Sequence, residues 1–154
     1  MAEVQKIITE NIFINAALDE AKIAFEENEV PVGAVIVKDG QIIARAHNQN
    51  IALFDPTAHA EILVIRSAAQ NLSQKILADC DLYVTLEPCL MCAAAISTSR
   101  IRRLYYCVGD EKYGAYETGE FFKSKPCYHR PEIYSGFKSE ISASLLKKFF
   151  ADRR

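Results

Sequence analysis

Apolar residues recur at helical spacing between Asn11 and Glu27, where Phe13, Ala16, Ala17, Ala21, Ala24 and Phe25 are separated by charged and polar positions. That spacing predicts an amphipathic first helix, and Pro31 ends it. The period then changes. Val32–Val37 is a dense β-branched run, Lys38-Asp39-Gly40 suits a hairpin turn, and Gln41–Ala46 resumes an extended pattern. His47–Pro56 is polar and reads as a loop. A second helix is predicted over Ala58–Asn71, with Ile62, Ile65, Ala68 and Ala69 on its apolar side. Asp81–Leu86 is a short apolar strand followed at once by Glu87-Pro88-Cys89. Proline is favoured in the first helical turn, where its missing N–H costs nothing, so a third helix is expected from here to Thr98. Arg102–Val108 reads as a fourth strand, and Gly109–Pro126 as a long connection with one helical turn around Phe121-Phe122. Glu132–Tyr134 suits a fifth strand. Ser139–Ala151 suits a last helix, with Ile141, Leu145, Leu146 and Phe149 inward. This order of elements implies an α/β fold: one mixed sheet covered by helices on both faces. With no internal repeat and no linker, residues 1–154 are expected to form a single domain.

Composition narrows the class. Half of the 154 residues are apolar, enough for a real core. No apolar run reaches the roughly 18 to 20 residues of a membrane span, and Met1–Glu10 is too polar and acidic for a signal peptide, so a cytoplasmic location is expected. A net charge of −2 argues neither for nor against nucleic acid, because binding depends on where the charge sits. Acidic residues dominate the first 30 positions. Lys123, Lys125, His129, Arg130, Lys147, Lys148, Arg153 and Arg154 gather in the last third. Such a run is either a solvated face or an RNA-contacting one. The five cysteines are an odd number, and two form a Cys-x-x-Cys pair. Without a secretion signal, that favours metal or free thiols over a disulfide framework.

The chemistry concentrates in two short blocks, Asp55-Pro56-Thr57-Ala58-His59-Ala60-Glu61-Ile62 and Pro88-Cys89-Leu90-Met91-Cys92. His59, Cys89 and Cys92 supply three zinc-binding side chains. Three protein ligands leave a tetrahedral zinc one open position, the mark of a catalytic site. Cys89 and Cys92 are three apart at a helix start and so share a face, where the helix dipole favours thiolates. In mid-helix His59 and Glu61 would diverge by about 200°, whereas in a first turn both can face one ion. Glu61 is then placed to take a proton from water at the open position, where zinc lowers the water pKa to roughly 7. Backbone N–H groups around Ala60 and Cys89 are candidates for positioning an attacked ring. His47 and His129 are alternative fourth ligands, although His47 reads better as a packing or exposed histidine and His129 as a loop or phosphate contact. Cys80, Cys107 and Cys127 read as ordinary thiols. Tyr113 and Tyr116 suit either stacking on bases or closing a loop over the core.

His59-Ala60-Glu61 together with Pro88-Cys89-x-x-Cys92 resembles the cytidine-deaminase-like zinc deaminases, and more closely the bacterial tRNA-specific adenosine deaminases. The resemblance extends through Val30-Pro31-Val32-Gly33-Ala34-Val35, Leu82-Tyr83-Val84-Thr85-Leu86-Glu87-Pro88-Cys89, Ser99-Arg100-Ile101 and Phe149-Phe150-Ala151-Asp152-Arg153-Arg154. It implies a three-layer α/β/α sandwich with a five-stranded mixed sheet, a homodimer, and conversion of adenosine to inosine at the wobble position of a tRNA anticodon. By the same resemblance His59, Cys89 and Cys92 hold one Zn2+ and Glu61 shuttles protons. Asn48 hydrogen-bonds the flipped base, and Asp110 lies near the anticodon backbone. Phe149, Arg153 and Arg154 belong to a helix beside the RNA. The chain departs from the family in one place: Lys112-Tyr113-Gly114-Ala115-Tyr116-Glu117-Thr118-Gly119 carries two tyrosines and a glutamate where small residues are usual. Two rival functions share these residues. One is deamination of a free base or nucleoside such as cytosine or guanine, and the other a zinc-stabilised RNA-binding module without turnover.

Overall fold

The computed structural model describes residues 2–110, 112–114, 120–127 and 129–153, apart from the side chains of residues 6–10. Tyr116, the rest of 115–119 and Arg154 lie outside the described residues. Helix α1 (Ala2–Glu26) leads into the hairpin β1 (Gly33–Lys38) and β2 (Gln41–His47), followed by α2 (Ala60–Leu72) and β3 (Cys80–Leu86). Then come α3 (Leu90–Ser99), β4 (Arg103–Val108), a single 3-10 turn at Phe121–Lys123, β5 (Glu132–Ser135) and α4 (Ser139–Ala151). The sheet order is β2-β1-β3-β4-β5. β1 pairs antiparallel with β2 and β3, while β3–β4 and β4–β5 are parallel, giving the expected mixed sheet.

Strand alternation builds two cores, one on each face. Ala34, Ile36, Leu82, Val84, Leu104 and Tyr106 face Val64 and Ala68 of α2 and Ala93 and Ile96 of α3. Val35, Val37, Tyr83, Tyr105 and Cys107 face Phe13, Ile14 and Ala17 of α1. Tyr105 and Tyr106 therefore both enter the interior, on opposite sides. On the α1 face Tyr83 stacks on Tyr105 at 4.3 Å between ring centroids, and Tyr105 on Tyr134 at 5.0 Å, tying β3, β4 and β5 together. The turn between β1 and β2 places Asp39 at φ 50° and Gly40 at φ 76°, the doubled positive φ that a tight hairpin requires.

The sequence pattern misplaces some boundaries. α1 begins nine residues before the predicted Asn11: the exposed residues 2–5 favour helix but present no core-facing stripe for periodicity to detect. α2 and α3 both start later than predicted, at Ala60 and Leu90. On α4 Phe149 is buried as expected, but so is Ser142, whose hydroxyl donates to the Thr85 carbonyl, whereas Ile141 is exposed. His47 is neither a metal ligand nor free: its ring nitrogens pair with Glu20 and Glu27 at 2.7 and 2.9 Å, joining β2 to α1. Burial alone would lower the His47 pKa, but these two hydrogen bonds raise it above its ordinary value.

At Gly33 the absence of a side chain matters. A Cβ there would meet the Ala17 carbonyl at 2.1 Å and the Ala21 nitrogen at 2.4 Å, so α1 lies directly on the β1 backbone. Gly33→Ala is expected to destabilise the protein by about 1–3 kcal/mol through overpacking. Urea denaturation monitored by circular dichroism checks this; an unchanged midpoint would mean that α1 shifts without cost.

Candidate active site and metal centre

The late helix starts have a chemical consequence. His59 is the N-cap of α2 (φ −73°, ψ 152°) and Cys89 the N-cap of α3 (φ −72°, ψ 175°), both extended and neither using its side chain as a cap. An imidazole and a thiol are thus released at helix entrances instead of being absorbed by them. Glu61 follows in the first turn of α2, and Cys92 in the first turn of α3. His59 Nδ1 lies 3.7 Å from Cys89 Sγ and 3.5 Å from Cys92 Sγ. One donor atom from each of the three residues falls within 4.8 Å of the others. Zn–S bonds of about 2.3 Å and Zn–N bonds of about 2.0–2.1 Å put tetrahedral ligands about 3.6 Å apart. The three residues fit a zinc ion.

Electrostatics point the same way. A hydrogen bond from Cys92 pulls the Cys89 thiol down to about 4 against the opposing effect of burial, with His59 adding to the pull. Cys92, as the donor in that pair and as a buried group, is raised correspondingly. Burial pushes the Glu61 carboxyl up to about 7, and its Oε2 sits 3.5 Å from Cys92 Sγ. Two sulfurs and a buried carboxylate competing for protons are the donor set a dication satisfies.

These groups lie in a cleft of ≈ 840 Å³, within the roughly 300–1,000 Å³ typical of ligand sites. Val30, Val32, Leu86 and Leu146 give it apolar walls, and Asn48, Asn50 and Glu87 add polar groups. Asn48 is buried, and its Oδ1 accepts the Ala60 N–H at 2.7 Å. Because a backbone N–H can only donate, the amide orientation is settled and Nδ2 remains as a donor toward the cleft. The Ala60 N–H is thereby engaged with the Asn48 side chain.

Asp110 also acts locally. Its Oδ1 accepts the N–H groups of Lys112 and Tyr113 at 3.0 and 3.1 Å, and its own N–H donates to Glu87 Oε1 at 3.0 Å. Phe149 faces inward against Phe25 at 6.1 Å, so the aromatic residue that reaches the cleft is its neighbour Phe150. Arg153 lies over the Phe149 ring at 3.6 Å and donates to the Phe149 carbonyl and Asn28, tying the end of α4 to the turn that follows α1. His129 is a structural residue too, its Nε2 paired with the Ile101 carbonyl at 2.8 Å. All five cysteines are free, and burial pushes Cys80 and Cys107 up to about 11 and about 12.

Glu87 escaped the sequence reading. Only 1% exposed, it anchors the 110–114 turn, and a Cβ on Gly114 would meet its carboxylate at 2.4 Å. A glutamate closing an otherwise apolar strand was the available signal.

The family described as the cytidine and deoxycytidylate deaminase zinc-binding region matches residues 8–108, a span that contains all four site residues. A tRNA-specific adenosine deaminase of Agrobacterium fabrum is 55% identical over 143 residues, covering 92% of this chain and 94% of its own. The chain belongs to the tRNA-specific adenosine deaminase family. A Bacillus subtilis member is 40% identical over 94% of this chain and 91% of its own. A solved structure from work on A-to-I editing by tRNA:A34 deaminases superposes with a TM-score of 0.86 at 56% identity. It covers 87% of this chain and 98% of that one. The three-layer cytidine-deaminase-like fold and a single Zn2+ as cofactor follow for this family member.

Asn48→Ala is expected to keep one zinc per chain while losing at least about tenfold in turnover, as a positioned hydrogen bond is removed. Metal analysis beside initial rates checks this, and metal loss in the variant would assign Asn48 to holding the α2 entrance instead.

Proposed function

We propose that the protein deaminates adenosine to inosine at the wobble position of a tRNA anticodon, the whole chain acting as one domain. The observation that carries this reading is the buried Glu61 carboxylate beside the His59, Cys89 and Cys92 donors, at the base of a cleft that admits a nucleobase. In the reaction water replaces the exocyclic amine: a C6–O bond forms, the C6–N bond breaks, and ammonia leaves. His59 Nδ1 and the two thiolates would hold the zinc, which when bound supplies Lewis acidity at its fourth position, where water ionises near neutral pH. Glu61 Oε2 accepts one proton from the attacking water and delivers it to the ring nitrogen, then takes the second proton from the hydroxyl added at C6 and passes it to the departing amine. Burial suits Glu61 to both steps, because it raises the carboxyl's affinity for the proton it has to carry. Asn48 Nδ2 donates to an acceptor on the purine and fixes its orientation. A base in a duplex stack cannot reach this depth, so the adenosine enters unstacked, as the single-stranded anticodon loop permits.

The test is inosine formation on an anticodon stem-loop carrying a wobble adenosine, with the zinc-loaded protein. Activity is expected to fall as salt is added, since phosphate contacts are electrostatic. Glu61→Ala is expected to retain zinc and to lose about 10²-fold or more. Unchanged inosine formation in that variant would refute the mechanism, and activity confined to free bases would refute the substrate.

A homodimer working in the cytoplasm, where tRNA is processed, is part of this reading. No helix among the described residues is long and apolar enough to cross a membrane. The loop after β2 offers a surface for a second copy: Ile51, Leu53 and Phe54 are exposed, Phe54 by 93%. The buried Glu29 carboxylate holds this loop in place by accepting the N–H groups of Ile51 and Ala52 at 3.0 and 2.9 Å. Sedimentation equilibrium is expected to give a dimer that Phe54→Glu weakens; a monomeric parent protein would overturn this part.

A further inference from the structure

At the mouth of the cleft stands an aromatic ring that the fold does not use. Tyr113 is 71% exposed, yet it lines the same cleft as His59 and Glu61. Among the described residues no hydrogen bond or ring contact holds its side chain. Its backbone, in contrast, is pinned from several sides. The Tyr113 N–H donates to Asp110 Oδ1 at 3.1 Å, and the next N–H, from Gly114, donates to the Asp110 carbonyl at 3.0 Å. Gly114 also forms an isolated β-bridge with Cys89 and packs on the buried Glu87 carboxylate. A tight turn is thus tied to a metal-site residue, and its outward product is a large ring left in water.

We infer that Tyr113 stacks on a nucleotide adjacent to the adenosine in the cleft and thereby sets a preference for the flanking sequence. This rests on the tRNA reading above. Drawing one base into the cleft strips its neighbours of a stacking partner. A phenol ring on a fixed backbone at the rim replaces that partner at little entropic cost, because only two side-chain torsions need to be restrained. Base–aromatic stacks change affinity by about 5- to 150-fold per base. A ring that only closed the cleft would instead affect every substrate alike, whatever lay beside the adenosine.

The test uses zinc-loaded full-length protein and three anticodon stem-loops: one intact, one with the base 5′ of the wobble adenosine replaced by an abasic nucleotide, and one with the 3′ base so replaced. Tyr113→Ala, Tyr113→Leu and Tyr113→Phe are compared with the parent protein, with zinc content and melting temperature measured for each. On the intact stem-loop Tyr113→Ala and Tyr113→Leu are expected to raise KM about 5-fold or more with kcat little changed, while Tyr113→Phe behaves as the parent. At one flank the abasic replacement should cost the parent protein a similar factor and cost Tyr113→Ala nothing further. Independent, multiplying losses at both flanks, or an unchanged KM for Tyr113→Ala, would overturn the inference. Absence of inosine from the parent protein on the intact stem-loop would instead overturn the substrate reading, and the inference with it.

Discussion

The structure turns on two helix entrances that face one point. α2 and α3 each begin with an extended residue, His59 or Cys89, whose side chain leaves the helix cap unmade and turns to a shared position. The positive ends of both helices then bear on the same small volume, where negative sulfur is stabilised. Each helix adds one further group from its first turn, Glu61 or Cys92. Four side chains from two segments thus meet without any of them coming from a flexible loop. The sheet makes this possible: α2 and α3 pack on the same face, anchored by Val64, Ala68, Ala93 and Ile96, so their first turns are held at a constant separation.

Buried polar side chains around this centre serve mostly as backbone anchors. Asn48 takes the Ala60 N–H, Glu29 takes two N–H groups of the 51–52 turn, and Glu87 takes the Asp110 N–H. Each bond satisfies a backbone donor at a helix entrance or in a loop that would otherwise turn to water. This explains how a chemically reactive site can be bordered by irregular chain and still hold its geometry. It also separates two groups of residues: the clustered His59, Glu61, Cys89 and Cys92, and the buried polar residues that hold the chain around them.

The C-terminal segment divides its residues in a similar way. Phe149 packs α4 on α1 and Arg153 ties its end to the turn after α1, while Leu146 and Phe150 line the cleft. Adjacent residues on a helix point about 100° apart, so Phe149 and Phe150 cannot share a role. On the opposite side, the Asp110 turn presents Tyr113. The cleft thus carries Leu146, Phe150 and Tyr113 together with Asp110 and Lys112 in its lining, and the buried Glu61 beside the metal donors.

Much of this architecture is legible in the order of the amino acids. Strand alternation and helical spacing are local consequences of backbone geometry, and they place every sheet strand and helix to within a few residues, α1 excepted. The metal set is legible because ligand types at fixed spacing constrain chemistry regardless of fold. What the chain alone does not show are contacts between distant segments. Nothing local tells whether Ala60's N–H is free or taken by Asn48, or which of Phe149 and Phe150 turns inward. Nor does spacing show that His59 and Cys89 are caps rather than helical residues. Those outcomes depend on how α1, α2, α3 and α4 seat on the sheet, since packing decides which donors are satisfied inside the protein and which are left to face a substrate.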